Sequence, residues 1–265
     1  MFRKVIAGGI VLGCMASAGR AEFVGTVDFE DGTVGALSKV IHVSNPQNFN
    51  IADFGGPGNL EFNPHGTGTG NFKSSYWLFD TSGSGAGDVY GDVTLQALFK
   101  PSNQFEIALA ARVVDDPDGA GSLTSSGWGL QASNGLGGVR IGYQNTAGGT
   151  VGKGTTAAVW DNSDALSMDP LKWYELTLSV IGSTATGTVT ELDGSFLPVA
   201  GHTVTVSYTD TLAEMAASGF AGTRGAQTND AFGYVLDNVT VVPEPASMTL
   251  LGLGGLALLR RRRIA

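Results

Sequence analysis

The chain has 265 residues, 15 basic against 24 acidic, for a net charge of −9; only 15% are charged and 42% are hydrophobic. So many apolar residues and so few charges exclude wholesale disorder, and the length suffices for a substantial core. An acidic balance without a basic stripe excludes nucleic acid as a partner, and 40 glycines without a three-residue period exclude collagen.

At the N-terminus Arg3-Lys4 precedes an apolar run from Val5 to about Met15, followed by small residues up to Ala21. A basic start, a short apolar run and a small-residue site describe a secretory signal peptide over residues 1–21, cut by signal peptidase. The run is too short to span a membrane, which takes ~20 apolar residues. Cleavage after Ala21 leaves Glu22 first; cleavage after Ala18 is the alternative. Val11-Leu12-Gly13-Cys14 loosely matches a lipoprotein box, with Leu12 a poor fit. Cys14 is the single cysteine, so loss of this segment leaves a body without disulfide or thiol chemistry.

From residue 22 to 242 the pattern is alternation. Val27 and Phe29 oppose Asp28 and Glu30 in the opening strand. Val93, Leu95, Ala97 and Phe99 share a face, as do Phe105, Ile107, Leu109, Ala111 and Val113. Val139, Ile141 and Tyr143 follow, then Tyr174, Leu176, Leu178 and Val180, then Val204, Val206 and Tyr208. In the closing strand Val235, Asp237, Val239 and Val241 fall on one face. Gly, Asn, Asp and Ser clusters such as Thr81–Gly87 and Asp115–Gly119 mark the turns. The only helical candidate, Thr211–Ala217, makes at most two turns. The reading is all-β: one two-sheet antiparallel sandwich of a dozen or more strands.

At the C-terminus Pro243-Glu244-Pro245 is followed by an apolar stretch of about 14 residues, roughly 21 Å as a helix, and then by Arg260, Arg261, Arg262 and Arg263. The prolines keep the backbone extended, and the arginines hold the far end on the cytoplasmic side. These three elements in order, over residues 243–265, closely resemble the PEP-CTERM sorting signal. That resemblance implies recognition and cleavage by an exosortase-type membrane enzyme in a Gram-negative-type bacterium that makes extracellular polysaccharide. An ordinary C-terminal anchor is the competing reading and still places the body outside the cytoplasm. Without its seven terminal basic residues the body keeps 8 against 24 acidic ones, a charge of −16 with Glu244 counted.

Within the body, Lys172–Leu178, Thr184–Val189 and Leu192-Asp193-Gly194, with Gly219–Gly222 leading into Ala231–Val239, resemble laminin-G and concanavalin A-like sandwiches. The opening Val27–Asp31 and the closing strand are similar to carbohydrate-binding jelly rolls. A jelly-roll plan is implied, but that plan serves lectins, glycosidases and inert modules alike.

Catalytic patterns do not emerge. No Glu-x-Asp-x-Glu places two carboxylates on one strand face, Glu191-Leu-Asp193 runs into a turn, and no Gly-x-Ser-x-Gly is present. His42, His65 and His202 are scattered, and Gly148–Gly154 departs from a phosphate loop at both ends. The sequence therefore predicts a protein that is not an enzyme, with a glycoside hydrolase the weakest alternative. Trp77 and Trp128 take core parity. Trp160, before Asp161–Asp164, and Trp173, on the Glu175/Thr177 face, are candidate sugar platforms, against packing at a sandwich end. Asp237 among valines is a buried carboxylate that something must neutralise. The jelly-roll resemblance implies a structural calcium ion at Glu30 and Asp237, with Asp28 or Asp31 less central. A bulge at Asp237-Asn238, turning the carboxylate to solvent or to backbone donors, is the alternative. The expected role is an exosortase-processed surface or extracellular-matrix protein associated with exopolysaccharide, anchored transiently in the inner membrane. A lectin-like carbohydrate-binding module is the alternative.

Overall fold

The computed structural model describes residues 24–41, 49–63, 73–101, 106–114, 126–133, 138–144, 158–164, 166, 168–210, 215–227 and 235–243. The signal-peptide residues 1–21, Phe105, Glu244, Pro245 and the arginines at 260–263 lie outside them, as does most of the helical candidate at 211–217. The strands are β1 (Gly25–Val27), β2 (Lys39–Ile41), β3 (Asn50–Ala52), β4 (Glu61–Asn63), β5 (Lys73–Leu78), β6 (Val93–Lys100), β7 (Glu106–Val114) and β8 (Ser126–Ser133). They continue with β9 (Gly138–Gln144), β10 (Ala158–Asp164), β11 (Tyr174–Ile181), β12 (Thr184–Leu192), β13 (Pro198–Thr209), β14 (Phe220–Gln227) and β15 (Val235–Pro243).

Two antiparallel sheets result, and no helix occurs among the described residues. One runs β13-β12-β11-β6-β15-β4-β3 with β1 added beside β15, eight strands in all; the other, seven-stranded, runs β10-β9-β8-β7-β14-β5-β2. The first and last strands pair, Gly25 opposite Val241 and Val27 opposite Val239.

Alternation explains the core. Val93, Leu95, Ala97 and Phe99 face Leu109, Trp128, Leu130, Val139 and Ile141 across the sandwich, joined by Tyr174, Leu176, Leu178 and Val180, all in one buried cluster. Trp77 and Phe79 belong to it as well. On β13, Val206 is buried and Val204 and Tyr208 pack against the same cluster, while Thr203, Thr205 and Ser207 face out.

Bulges in β7 and β15 break the expected parity. In β7 the register slips between Ala111 and Val114, with Arg112 at φ 51°. The extra residue moves Val113 off the core face into a separate cluster with Tyr76, Leu78 and Ala110. In β15 the slip lies between Asp237 and Thr240, with Asn238 at φ 49°. Val239 and Val241 face the core with Leu236, whereas Val235 joins an outer cluster with Trp173 and Leu192. The four closing-strand residues that the sequence placed on one face are thus split, because alternation cannot register an inserted residue.

Candidate functional site

The bulge of β15 sits where its edge changes partner. Toward its start Leu236 pairs with Phe62 of β4; toward its end Val239, Thr240 and Val241 pair with β1. Asp237 therefore occupies the gap between the end of β1 and the start of β4. The continuation of β1 carries Asp28 and Glu30, and β4 begins with Glu61. On the inner side Phe29 stacks on Phe62 at 5.0 Å, pinning these two segments together.

The loop joining β3 to β4, residues 53–60, closes over this gap by donating its backbone to the carboxylates. The Asn59 and Leu60 N–H groups donate to Glu30 Oε1 at 2.8 and 3.3 Å, and Asn59 Nδ2 donates to Glu30 Oε2 at 3.2 Å. Gly56 N–H donates to Glu61 Oε1 at 2.9 Å, and Phe54 N–H to Glu61 Oε2 at 2.5 Å. Glycine permits this approach: a Cβ on Gly58 would lie 1.9 Å from Glu30 Oε1 and 3.9 Å from Asp237 Oδ2, and one on Gly56 would lie 2.4 Å from Glu61 Oε1. From the outside, Trp173 Nε1–H donates to the Gly55 carbonyl at 2.9 Å and Lys100 Nζ to the Phe54 carbonyl at 3.0 Å.

Asp237 is only 1% exposed and Glu61 is fully buried. Asn238 N–H donates to Asp237 Oδ1 at 2.7 Å, and Asn238 Nδ2 to Oδ2 at 3.3 Å. Burial, reinforced by the negative charges of Glu61, Glu30 and Asp28, pushes the Asp237 carboxyl up to about 7. Burial also raises Glu61, against the donors of Phe54 and Gly56. Exposed Glu30 moves the other way, lowered by the Asn59 and Leu60 N–H groups. The bulge thus exists and supplies a backbone donor, yet it leaves the carboxylate buried instead of turning it to water.

The side-chain groups that could ligate an ion at the gap offer oxygen, from carboxylates and the side-chain amides of Asn59 and Asn238, with no imidazole or thiolate among the residues just named. That chemistry suits a hard divalent cation such as calcium, which accepts carboxylate and carbonyl oxygens at flexible angles. No three His, Cys, Asp or Glu side chains among the described residues are gathered to hold a metal. An ion here would rest on Glu30 and Asp237, both beside Gly58, while the Phe54 and Gly55 carbonyls are engaged by Lys100 and Trp173. Asp31 is turned elsewhere, accepting the Thr33 N–H and hydroxyl at 2.9 and 2.7 Å.

The other sequence candidates separate. Trp173 lies on the outer face but is 6% exposed, with Phe196 edge-on at 6.1 Å and Lys100 at 6.0 Å from its ring. It roofs the loop and presents no open ring face for a sugar. Trp160 stands opposite Gly142 in the register, and nothing beyond that backbone position is described. Pro243 ends β15. Two features escaped sequence reasoning. Glu191 accepts Lys172 Nζ at 2.7 Å and pairs with His202 Nδ1 at 3.0 Å. Glu61 is the other; its signal is a glycine-rich turn at Gly55–Gly58 followed, after Asn59 and Leu60, by a Glu-Phe pair.

Next to the bulge, the outer face of the eight-stranded sheet holds an open groove of about 260 Å³. Thr26, Gln96, Leu98, Glu175, Asn238 and Thr240 line it.

Residues 241–263 match the PEP-CTERM protein-sorting motif. No curated protein matches the chain in sequence. Among solved structures, it is similar to a carbohydrate binding module from Bacillus subtilis at 13% identity and TM-score 0.42, over 74% of this chain and 96% of that one. A carbohydrate esterase of the Shiga toxin-encoding bacteriophage phi24B matches at 14% identity and TM-score 0.42, over 82% and 98%. The seed lectin of Lotus tetragonolobus matches at 13% identity and TM-score 0.38, over 78% and 94%. These likenesses are distant in both sequence and shape.

Proposed function

We propose that the protein is an exported surface or matrix component whose sandwich works by association with extracellular polysaccharide and not by catalysis. The observation that carries this reading is the place of the sorting motif. Its first residues, 241–243, are also the last residues of β15. The cleavage region near Pro243–Pro245 therefore follows directly on the end of β15, an interior strand of the eight-stranded sheet, and a cut there by an exosortase-type enzyme frees the folded body whole. Signal peptidase trims the other end, and the apolar tail holds the intermediate in the inner membrane until that cut. The lack of hydrolase spacings among Glu, Asp, His and Ser supports a non-enzymatic role. A structural calcium ion between Glu30 and Asp237 locks the first and last strands to β4, which suits a body exposed outside the cell.

The groove beside Asn238 favours a second, lectin-like reading, in which the sandwich retains a defined glycan. Applying the exported protein to a glycan array separates the two. A matrix component retains no single glycan in a saturable way; a lectin does, and turnover of any glycan would overturn both.

A further inference from the structure

Side chains on the outer face of the eight-stranded sheet stand in register across it. Thr26 lies opposite Thr240, Thr240 opposite Gln96, Gln96 opposite Thr177, Thr177 opposite Thr188, and Thr188 opposite Thr205. One row of polar side chains thus crosses from β1 to β13, with ~4.8 Å between neighbouring strands. Thr26 and Thr240 hydroxyls are 2.7 Å apart, those of Thr188 and Thr205 3.2 Å. The groove lies at the β1 end of this row.

Its chemistry is selective. Hydroxyls and amides both donate and accept, while Glu175 accepts only. Gln96 Nε2 reaches Glu175 Oε1 at 3.4 Å, a long contact that a better acceptor or donor can replace. Leu98 adds an apolar patch, and the bulge aims Asn238 into the groove. No basic side chain lines it, and the Glu175 carboxylate disfavours an anionic guest. A fitting ligand is uncharged, rich in hydroxyls, apolar on one flank and long enough to follow the row.

We infer that this groove binds a neutral polysaccharide chain, laid across the strands along Thr177, Thr188 and Thr205. The inference rests on the lectin-like reading and assigns its site. Hydroxyls of the sugar exchange hydrogen bonds with Gln96, Asn238 and Glu175, and its C–H flank rests on Leu98. Without an aromatic platform, each sugar unit contributes little, and binding grows with chain length along the row.

Affinity electrophoresis of the exported protein tests this, through gels containing laminarin, hydroxyethylcellulose, soluble starch, alginate or the producing strain's own exopolysaccharide. The expected result is retardation by at least one neutral polymer and none by alginate. Gln96→Ala and Asn238→Gly, the latter suited to the positive φ of its bulge, should each weaken that retardation roughly five- to tenfold. Retardation unchanged in both variants would overturn this site while leaving the lectin-like reading standing. No retardation of the wild type in any gel would overturn both, and stronger retardation by alginate than by neutral polymers would overturn the ligand class.

Discussion

Arg112 in β7 and Asp237 in β15 are both charged side chains carried under the surface by a bulge, Arg112 itself at φ 51° and Asp237 beside Asn238 at φ 49°. They lie toward opposite ends of β6. At the Val93 end, Arg112 is 4% exposed and fully engaged: Nε donates to the Gly91 carbonyl at 3.0 Å, Nη1 to the Gly182 carbonyl at 2.6 Å, and Nη2 to Asp92 Oδ1 at 2.6 Å. It ties the seven-stranded sheet to the turn between β11 and β12 of the other. Toward the Lys100 end, Asp237 receives only Asn238 among the described residues and faces the like charges of Glu61 and Glu30. Buried Asp80 offers a third case. Burial pushes its carboxyl up, but the Ser82 hydroxyl and N–H and the Gly85 N–H outweigh that and hold it below the usual range. A buried charge can therefore be satisfied by donors within this fold, whereas at Asp237 the donors are too few and the carboxyl is pushed up toward its protonated form.

The two sites should differ most in their response to pH. In chelator, native Asp237 holds its proton to about 7, whereas an unfolded aspartate loses it near 3.9. The stability this confers is complete below about pH 4 and is lost as pH rises toward 7, up to about 4 kcal/mol in all. Urea unfolding at pH 5 to 8 should show that decline in the wild type, and Asp237→Asn should flatten most of it. Equal slopes in the two proteins would place the proton elsewhere. Arg112→Met should cost about 3 kcal/mol at any pH in this window, because Asp92 and two carbonyls lose their donor. A cost near zero would mean that solvent replaces it.

Calcium gives the next effect. At 100 times its dissociation constant the ion should add about 2.7 kcal/mol to the wild type at pH 8, read as a rise in melting temperature, and nothing to Asp237→Asn. An equal rise in both proteins rejects the site. The smallest effect belongs to Gly58→Ala. Its Cβ displaces only the exposed end of Glu30, so unfolding free energy should change by about 1 kcal/mol or less while the calcium response weakens.

What could be read from the sequence follows the same division. Strand β11 was fully legible, because Tyr174, Leu176, Leu178 and Val180 alternate without interruption and are all buried. The first and last strands are legible as strands too, through Val27 and Phe29 at one end and the valines at the other, but their pairing is not written in that alternation and follows only from the jelly-roll resemblance. The bulge in β7 is not legible, since an inserted residue leaves no mark on a hydrophobic pattern, and Val113 leaves its expected face for that reason; the bulge at Asp237-Asn238 is readable only as the alternative to four residues on one face, and it carries Val235 to the outer cluster. Glu30 and Asp237 can be picked out from the sequence, but Glu61 cannot, because a carboxylate in a three-residue strand gives no sign of burial until the loop over it is known. Trp173 was placed on the correct face, yet its cover by Phe196 and the residues of the β3–β4 loop depends on tertiary contacts that no spacing encodes.

The most direct measurement of the functional account is intact-mass and terminal-peptide mass spectrometry of the protein recovered from outside the producing cells. The account predicts an N-terminus at Glu22 or Gly19 and a C-terminus within a few residues of Pro243–Pro245. A mature extracellular form that still carries Arg260–Arg263 would contradict it.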